Sequence, residues 1–113
     1  MITPAMAVLV LFATPTHTTM ADRIIQCESS GVHERNGKMR CNTHEPSGHR
    51  SCGIAQFRRE TFYEFAKMAH VLRPNWASRS QQIYLLNWGL ARGYGKRWSC
   101  YRKLKEADRV GRH

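Results

Sequence analysis

Apolar residues recur at helical spacing in several stretches of this chain, with polar, turn-rich segments between them. Ile24 and Ile25 open an apolar face behind Asp22, a residue type that caps helices, and Gly31 is where that helix is expected to stop. From Thr61 the pattern is helical again. Phe62, Phe65, Ala66 and Ala69 fall three and four positions apart, with Glu60, Glu64 and Lys67 elsewhere on the turn, until Arg73-Pro74-Asn75 breaks the helix. Ser78-x-x-Gln81 is a capping-box signature ahead of Ile83, Leu86, Asn87 and Leu90, and Gly93 closes that segment. Tyr101 to about Ala107 reads as a last short helix, and the final residues should fray. Between the first two helices, Asn36-Gly37 is a type I′ turn signal, which predicts a small hairpin near Lys38–Asn42. The expected class is therefore α+β, mainly α.

The N-terminus departs from this pattern. An apolar run from Ala5 to Ala13 is too short to span a membrane and suits the core of a secretory signal, with Thr19-Met20-Ala21 as the cleavage site. It lacks the usual preceding Lys or Arg, as a misplaced start codon or a short uncleaved anchor would also explain. In a chain of 113 residues the expected organisation is a signal peptide at 1–21, one domain at 22–105 and a flexible basic tail at 106–113. No repeat or linker interrupts it. Export would place the protein outside the cytosol, secreted or in the cell envelope.

Charge narrows the partners. The formal net charge of +10 falls wholly on the part from Asp22 onward and favours polyanions, among them the acidic polymers of a bacterial wall. The basic residues form only short clusters at Arg58-Arg59, Lys96-Arg97 and Arg102-Lys103-Lys105, and most read as a solubilising surface. No nucleic-acid module is recognisable, so no nucleic-acid partner is expected. Neither a stable membrane span nor an oligomer is expected.

About 90 residues of mature chain bury a modest core. Four cysteines in an exported chain point to two disulfides that supplement it, with three pairings open. Cys41–Cys52, closing a short polar loop, and Cys27–Cys100, tying the first helix to the C-terminal region, are preferred. A competing set is Cys41-x2-His44 with His49-x2-Cys52, which could hold zinc tetrahedrally in a reducing compartment. With export, no metal or other cofactor is expected.

The strongest chemical candidate is Glu28. In the last turn of its helix it meets the partial negative charge of unpaired carbonyls, which with any burial should raise its pKa and keep a proton ready for general acid catalysis. An ordinary solvated glutamate would look the same on these residues alone.

Taken together, Cys27-Glu28-Ser29-Ser30-Gly31, Gly53-Ile54-Ala55-Gln56-Phe57 with Thr61-Phe62, Ala77-Ser78-Arg79-Ser80-Gln81-Gln82-Ile83 and Trp98-Ser99-Cys100 occur in the order seen in transglycosylase-like domains. The chain thus resembles, from about Asp22 to Leu104, the resuscitation-promoting factors and soluble lytic transglycosylases, small relatives of lysozyme. The resemblance implies a lysozyme-like fold with a groove beside a small or vestigial β element. It implies Glu28 as the single catalytic glutamate, Gln56 and Thr61 as groove residues, and a Cys27–Cys100 disulfide. Trp88, beside Asn87, and Tyr94 match an aromatic region of the larger members more loosely; like Trp98, they could pack on sugar faces or in the core. The stretch between Glu28 and Gln56 looks longer than in those factors and carries the extra Cys41/Cys52 pair.

Glycosidases with two carboxylates need a second Asp or Glu across the scissile bond. Only Glu34 and Glu45 could supply one, and each reads more readily as a surface charge. The expected activity is therefore lytic transglycosylation of the β-1,4 bond between N-acetylmuramic acid and N-acetylglucosamine, with Glu28 as acid and then base. A muramidase acting on the same bond is the alternative, and a non-catalytic, secreted basic module that binds the wall is the alternative of another class.

Overall fold

The computed structural model describes residues 18–111, so most of the expected export signal, residues 1–17, lies outside the described residues, as do 112–113. Four helices are present among the described residues: α1 (Met20–Ser29), α2 (Arg59–Met68), α3 (Arg79–Ala91) and α4 (Ser99–Val110). Strands β1 (Glu34–Arg35) and β2 (Lys38–Met39) form an antiparallel hairpin, and a 3-10 turn covers Gly95–Arg97. The class is the expected one, a small, mainly helical α+β domain stapled by Cys27–Cys100 and Cys41–Cys52. No helix among the described residues is long and apolar enough to cross a membrane.

Helix α1 begins earlier than expected. Its cap is Thr19, not Asp22: the Thr19 hydroxyl accepts the Asp22 N–H at 3.1 Å while the Asp22 carboxylate accepts the Thr19 N–H at 3.3 Å. Two orphan donors are satisfied reciprocally, and Ala21 is drawn into the core. The helix therefore includes residues on both sides of the expected cleavage point. In the hairpin, Asn36 (φ 56°) and Gly37 (φ 78°) adopt the two positive φ angles that a type I′ turn requires. The strands stay short because their side chains are mostly exposed and have no apolar face to bury.

Helix α2 buries Phe62, Phe65 and Ala66, as the periodicity predicts. Helix α3 is rotated from its expected face. Gln82, Leu85, Leu86 and Gly89 are buried, whereas Asn87 is exposed and Ile83 and Leu90 are only half-buried. Gly89 faces the core because a Cβ there would stand 2.7 Å from the Phe65 ring. The capping box is half formed: Ser78 accepts the Gln81 N–H, but the Gln81 side chain turns to the Asn75 N–H at 2.7 Å. At the other end, Tyr94 N–H to Gly89 O and Gly93 N–H to Leu90 O make a Schellman motif around Gly93. Helix α4 runs past Ala107 to Val110, and a two-pronged Arg23–Asp108 ion pair fastens it to α1.

At the centre lies an irregular segment, Cys52–Phe57. Cys52 and Phe57 exchange two backbone hydrogen bonds, and the Gly53 N–H goes to Arg40 O. Side chains take up most of the rest. Ile54 donates to His33 Nδ1 at 2.9 Å and accepts from Ser29 Oγ at 2.7 Å. Ala55 donates to Gln82 Oε1 at 3.0 Å and accepts from Trp98 Nε1 at 2.9 Å. Phe57 O accepts from Trp76 Nε1, and its ring meets Phe62, Phe65 and Trp98 edge-on. A loop can be buried only if its polar backbone is satisfied in this way. Gly53 is required at its position, since a Cβ would fall 2.3 Å from Gln82 Nε2.

Gln82 is fully buried and also donates to the carbonyls of Cys52 and Trp76. Gln82→Leu keeps the volume but strands these groups, so it is expected to cost about 2–4 kcal/mol in urea unfolding, while Asn87→Leu on the exposed face changes stability by about 0.5 kcal/mol at most.

Candidate active site

The last turn of α1 and the first turn of α4 converge on Glu28. Its Oε2 accepts the Cys100 N–H at 3.2 Å, and Cys100 is in turn bonded to Cys27, the residue preceding Glu28. Burial is the main influence on its carboxyl and pushes the pKa above the ordinary value. The Cys100 N–H and the charges of Lys103 and Arg102 pull it back, and the charge of Glu45 adds to the rise. Glu28 does occupy the end of α1, but burial has the larger effect, and the facing first turn of α4 works against it.

Glu28 lines a groove of about 420 Å³ together with Gln56, Thr61, Glu45, Arg58, Arg97 and Arg102. A smaller hollow of about 200 Å³, lined also by Arg40 and Cys41, adjoins it and shares Glu28, Asn42 and Gln56, so these three mark the junction. Gln56 has a left-handed backbone (φ 50°) at the end of the buried loop. Its Nε2 donates to Gly53 O at 2.9 Å and Arg40 O at 3.2 Å, which leaves the amide oxygen to accept from a ligand. Strain of this kind persists where surrounding contacts over-determine it.

The structure thus brings Glu28, Gln56 and Thr61 to one groove, from α1, the central loop and α2. It does not bring Trp88 or Tyr94 there. Both half-buried rings pack on Phe65, with centroids 5.4 Å away in each case, and on each other at 5.9 Å. Of the two places open to these rings, packing is the one the contacts show, on the side of α3 and the 3-10 turn, and neither ring lines the groove. Trp98 lines the groove from a buried position, with its indole N–H spent on Ala55 O.

Of the two candidate second carboxylates, Glu34 is exposed on β1 and Glu45 lines the groove. Burial would raise Glu45, but hydrogen bonds from Arg58 (2.8 Å) and the Ser51 N–H (2.7 Å) outweigh it and hold the carboxyl below its ordinary value. Two carboxyls whose environments push their pKa values apart therefore line one groove. Cys41 and Cys52 are bonded to each other, which removes both sulfurs from the Cys41/His44/His49/Cys52 set; His44 and His49 are exposed, and His49 lies 3.7 Å from Glu60.

The groove arginines had a sequence signal, the three short basic clusters, but nothing in the clusters indicated which member would turn inward. No family model, curated protein or solved structure matches this chain.

The raised pKa of Glu28 carries a stability consequence. With both states protonated, below the ordinary value of 4.5, burial of the neutral acid costs the fold nothing extra. As pH rises through the higher folded value, the charge is easier to form in the unfolded chain, and stability is lost. Glu28→Gln is therefore expected to unfold at a higher temperature than the parent at pH 7 and at nearly the same temperature at pH 4, as calorimetry at the two pH values would show.

Proposed function

We propose that the protein is a lytic transglycosylase that acts outside the cytosol on the β-1,4 bond between N-acetylmuramic acid and N-acetylglucosamine of peptidoglycan. The observation that carries this is Glu28: a carboxyl whose pKa burial raises, in an open groove that Gln56 and Thr61 also line. The order of motifs shared with transglycosylase-like domains supports the same assignment. Two disulfides suit an oxidising compartment.

In this mechanism the Glu28 proton passes to the leaving O4 as the C1–O4 bond breaks. The substrate's acetamido group supports the oxocarbenium-like centre, as in substrate-assisted glycosidases. Glu28, now a carboxylate, takes the proton of the 6-hydroxyl as O6 bonds to C1, which regenerates the acid and leaves a 1,6-anhydro end. Gln56 accepts from a sugar N–H or hydroxyl, and Thr61 contacts a hydroxyl farther along the strand.

A muramidase reading has its own support in Glu45. Held ionised in the same groove, it is a candidate to activate water or to stabilise the cation. The two readings separate by product mass. Digestion of purified peptidoglycan is expected to give anhydro-ended fragments, one water lighter than hydrolysed ones, and Glu28→Gln should slow turnover about a hundred- to ten-thousand-fold. Reducing ends alone, lost with Glu45→Gln, would make the enzyme a hydrolase. Full activity of Glu28→Gln would remove Glu28 from the chemistry.

A further inference from the structure

Each short basic cluster of the sequence turns one arginine into the groove: Arg58, Arg97 and Arg102. Their neighbours Arg59, Lys96, Lys103 and Lys105 do not line it. The three arginines differ in what already holds them. Arg58 is taken by Glu45 at 2.8 Å. Arg97 lies over the Phe65 ring at 5.6 Å and reaches Glu64 at 3.3 Å, but Glu64 is outside the groove and that pair is exposed, with relative areas of 45% and 51%. An exposed pair of this kind is weak and readily exchanged for another carboxylate. Arg102 donates to Lys96 O at 2.9 Å, a neutral acceptor that orients the guanidinium without cancelling its charge.

Glu45 and Arg58 neutralise each other, which leaves Glu28, among the described residues, as the one other acid lining the groove against the two cations Arg97 and Arg102. Both lie where the 3-10 turn runs into α4, on either side of Cys100, whose N–H donates to Glu28. Planar guanidinium groups in a groove select carboxylates, which they can grip with two parallel hydrogen bonds.

We infer that Arg97 and Arg102 form a carboxylate-binding subsite beside Glu28, so that the groove selects an N-acetylated glycan carrying an acidic substituent next to the scissile bond over the neutral form of the same glycan. This rests on the glycosidase reading of the groove and narrows its substrate. The carboxylate has two sources with one chemistry: the lactyl ether of the muramic sugar when it carries no peptide, or the acidic groups of a peptide attached through it.

The test uses three tetrasaccharides of alternating N-acetylglucosamine and N-acetylmuramic acid: with free lactyl groups, with lactyl methylamides, and with short glutamate-containing peptides. Binding to Glu28→Gln protein is measured by calorimetry, and cleavage is measured with the parent enzyme. At least one acidic form is expected to bind about tenfold tighter than the methylamide, since charge-assisted bonds of this kind are worth about one power of ten or more. The tighter acidic form identifies the source. Arg97→Gln/Arg102→Gln should bring the ratio close to one, and Arg102→Lys, which keeps the charge and loses the fork, should leave it between. Equal binding of all three forms, binding of none, or a ratio unchanged in the folded double variant would overturn the subsite. An acidic preference without cleavage would sink the glycosidase reading and spare the subsite; cleavage without preference would do the reverse.

Discussion

The domain depends on satisfying the polar backbone of one buried loop. Between its bridged ends, Cys52–Phe57 has neither helix nor sheet to complete its hydrogen bonds, yet it passes through the middle of the core. Its N–H and C=O groups are met by Ser29 from α1, by His33 ahead of the hairpin, by Gln82 from α3, and by the indoles of Trp76 and Trp98. In a chain this short, with a small apolar core, unmet groups of this kind would cost as much as the whole fold is worth. The loop is therefore the hub on which the helices are registered, and its far end presents Gln56 to the groove.

The candidate site is built around that hub. Glu28 lies in the last turn of α1, one residue before the serine that holds Ile54, so the position of the carboxyl and the position of the loop are fixed together. Burial raises the pKa of Glu28, while hydrogen bonds from Arg58 and Ser51 lower that of Glu45. The contrast between two carboxyls comes from their surroundings and not from their residue type.

Much of this was legible in the sequence where the signal is local. The periodic aromatic stripe of α2, the Asn36-Gly37 turn and the stop at Gly93 rest on neighbours within a few residues, and the structure follows them. Cysteine spacing and the order of motifs indicated the pairing of Cys27 with Cys100. The rest turns on distant partners. Gln82 reads as a polar position beside an apolar face, and only the loop that it bonds explains its burial, which rotates α3 by one residue. Asp22 is a good cap in isolation, but Thr19 together with Asp22 makes a better one. Trp88 and Tyr94 were ambiguous by composition, and Phe65 decides their place in the packing. Glu45 resembled any loop glutamate until Arg58 and Ser51, 13 and 6 residues away, bound it in the groove.

The backbone donor on Glu28 belongs to Cys100, and the sulfur of Cys100 is joined to the residue next to Glu28 itself. The covalent clasp and the Glu28 carboxyl are thus parts of one closed ring of contacts. A newly made chain, its thiols still reduced, lacks the bond that pins the start of the last helix against the first. The placement of Glu28 against the start of the last helix is coupled in this way to the oxidation of one pair of thiols.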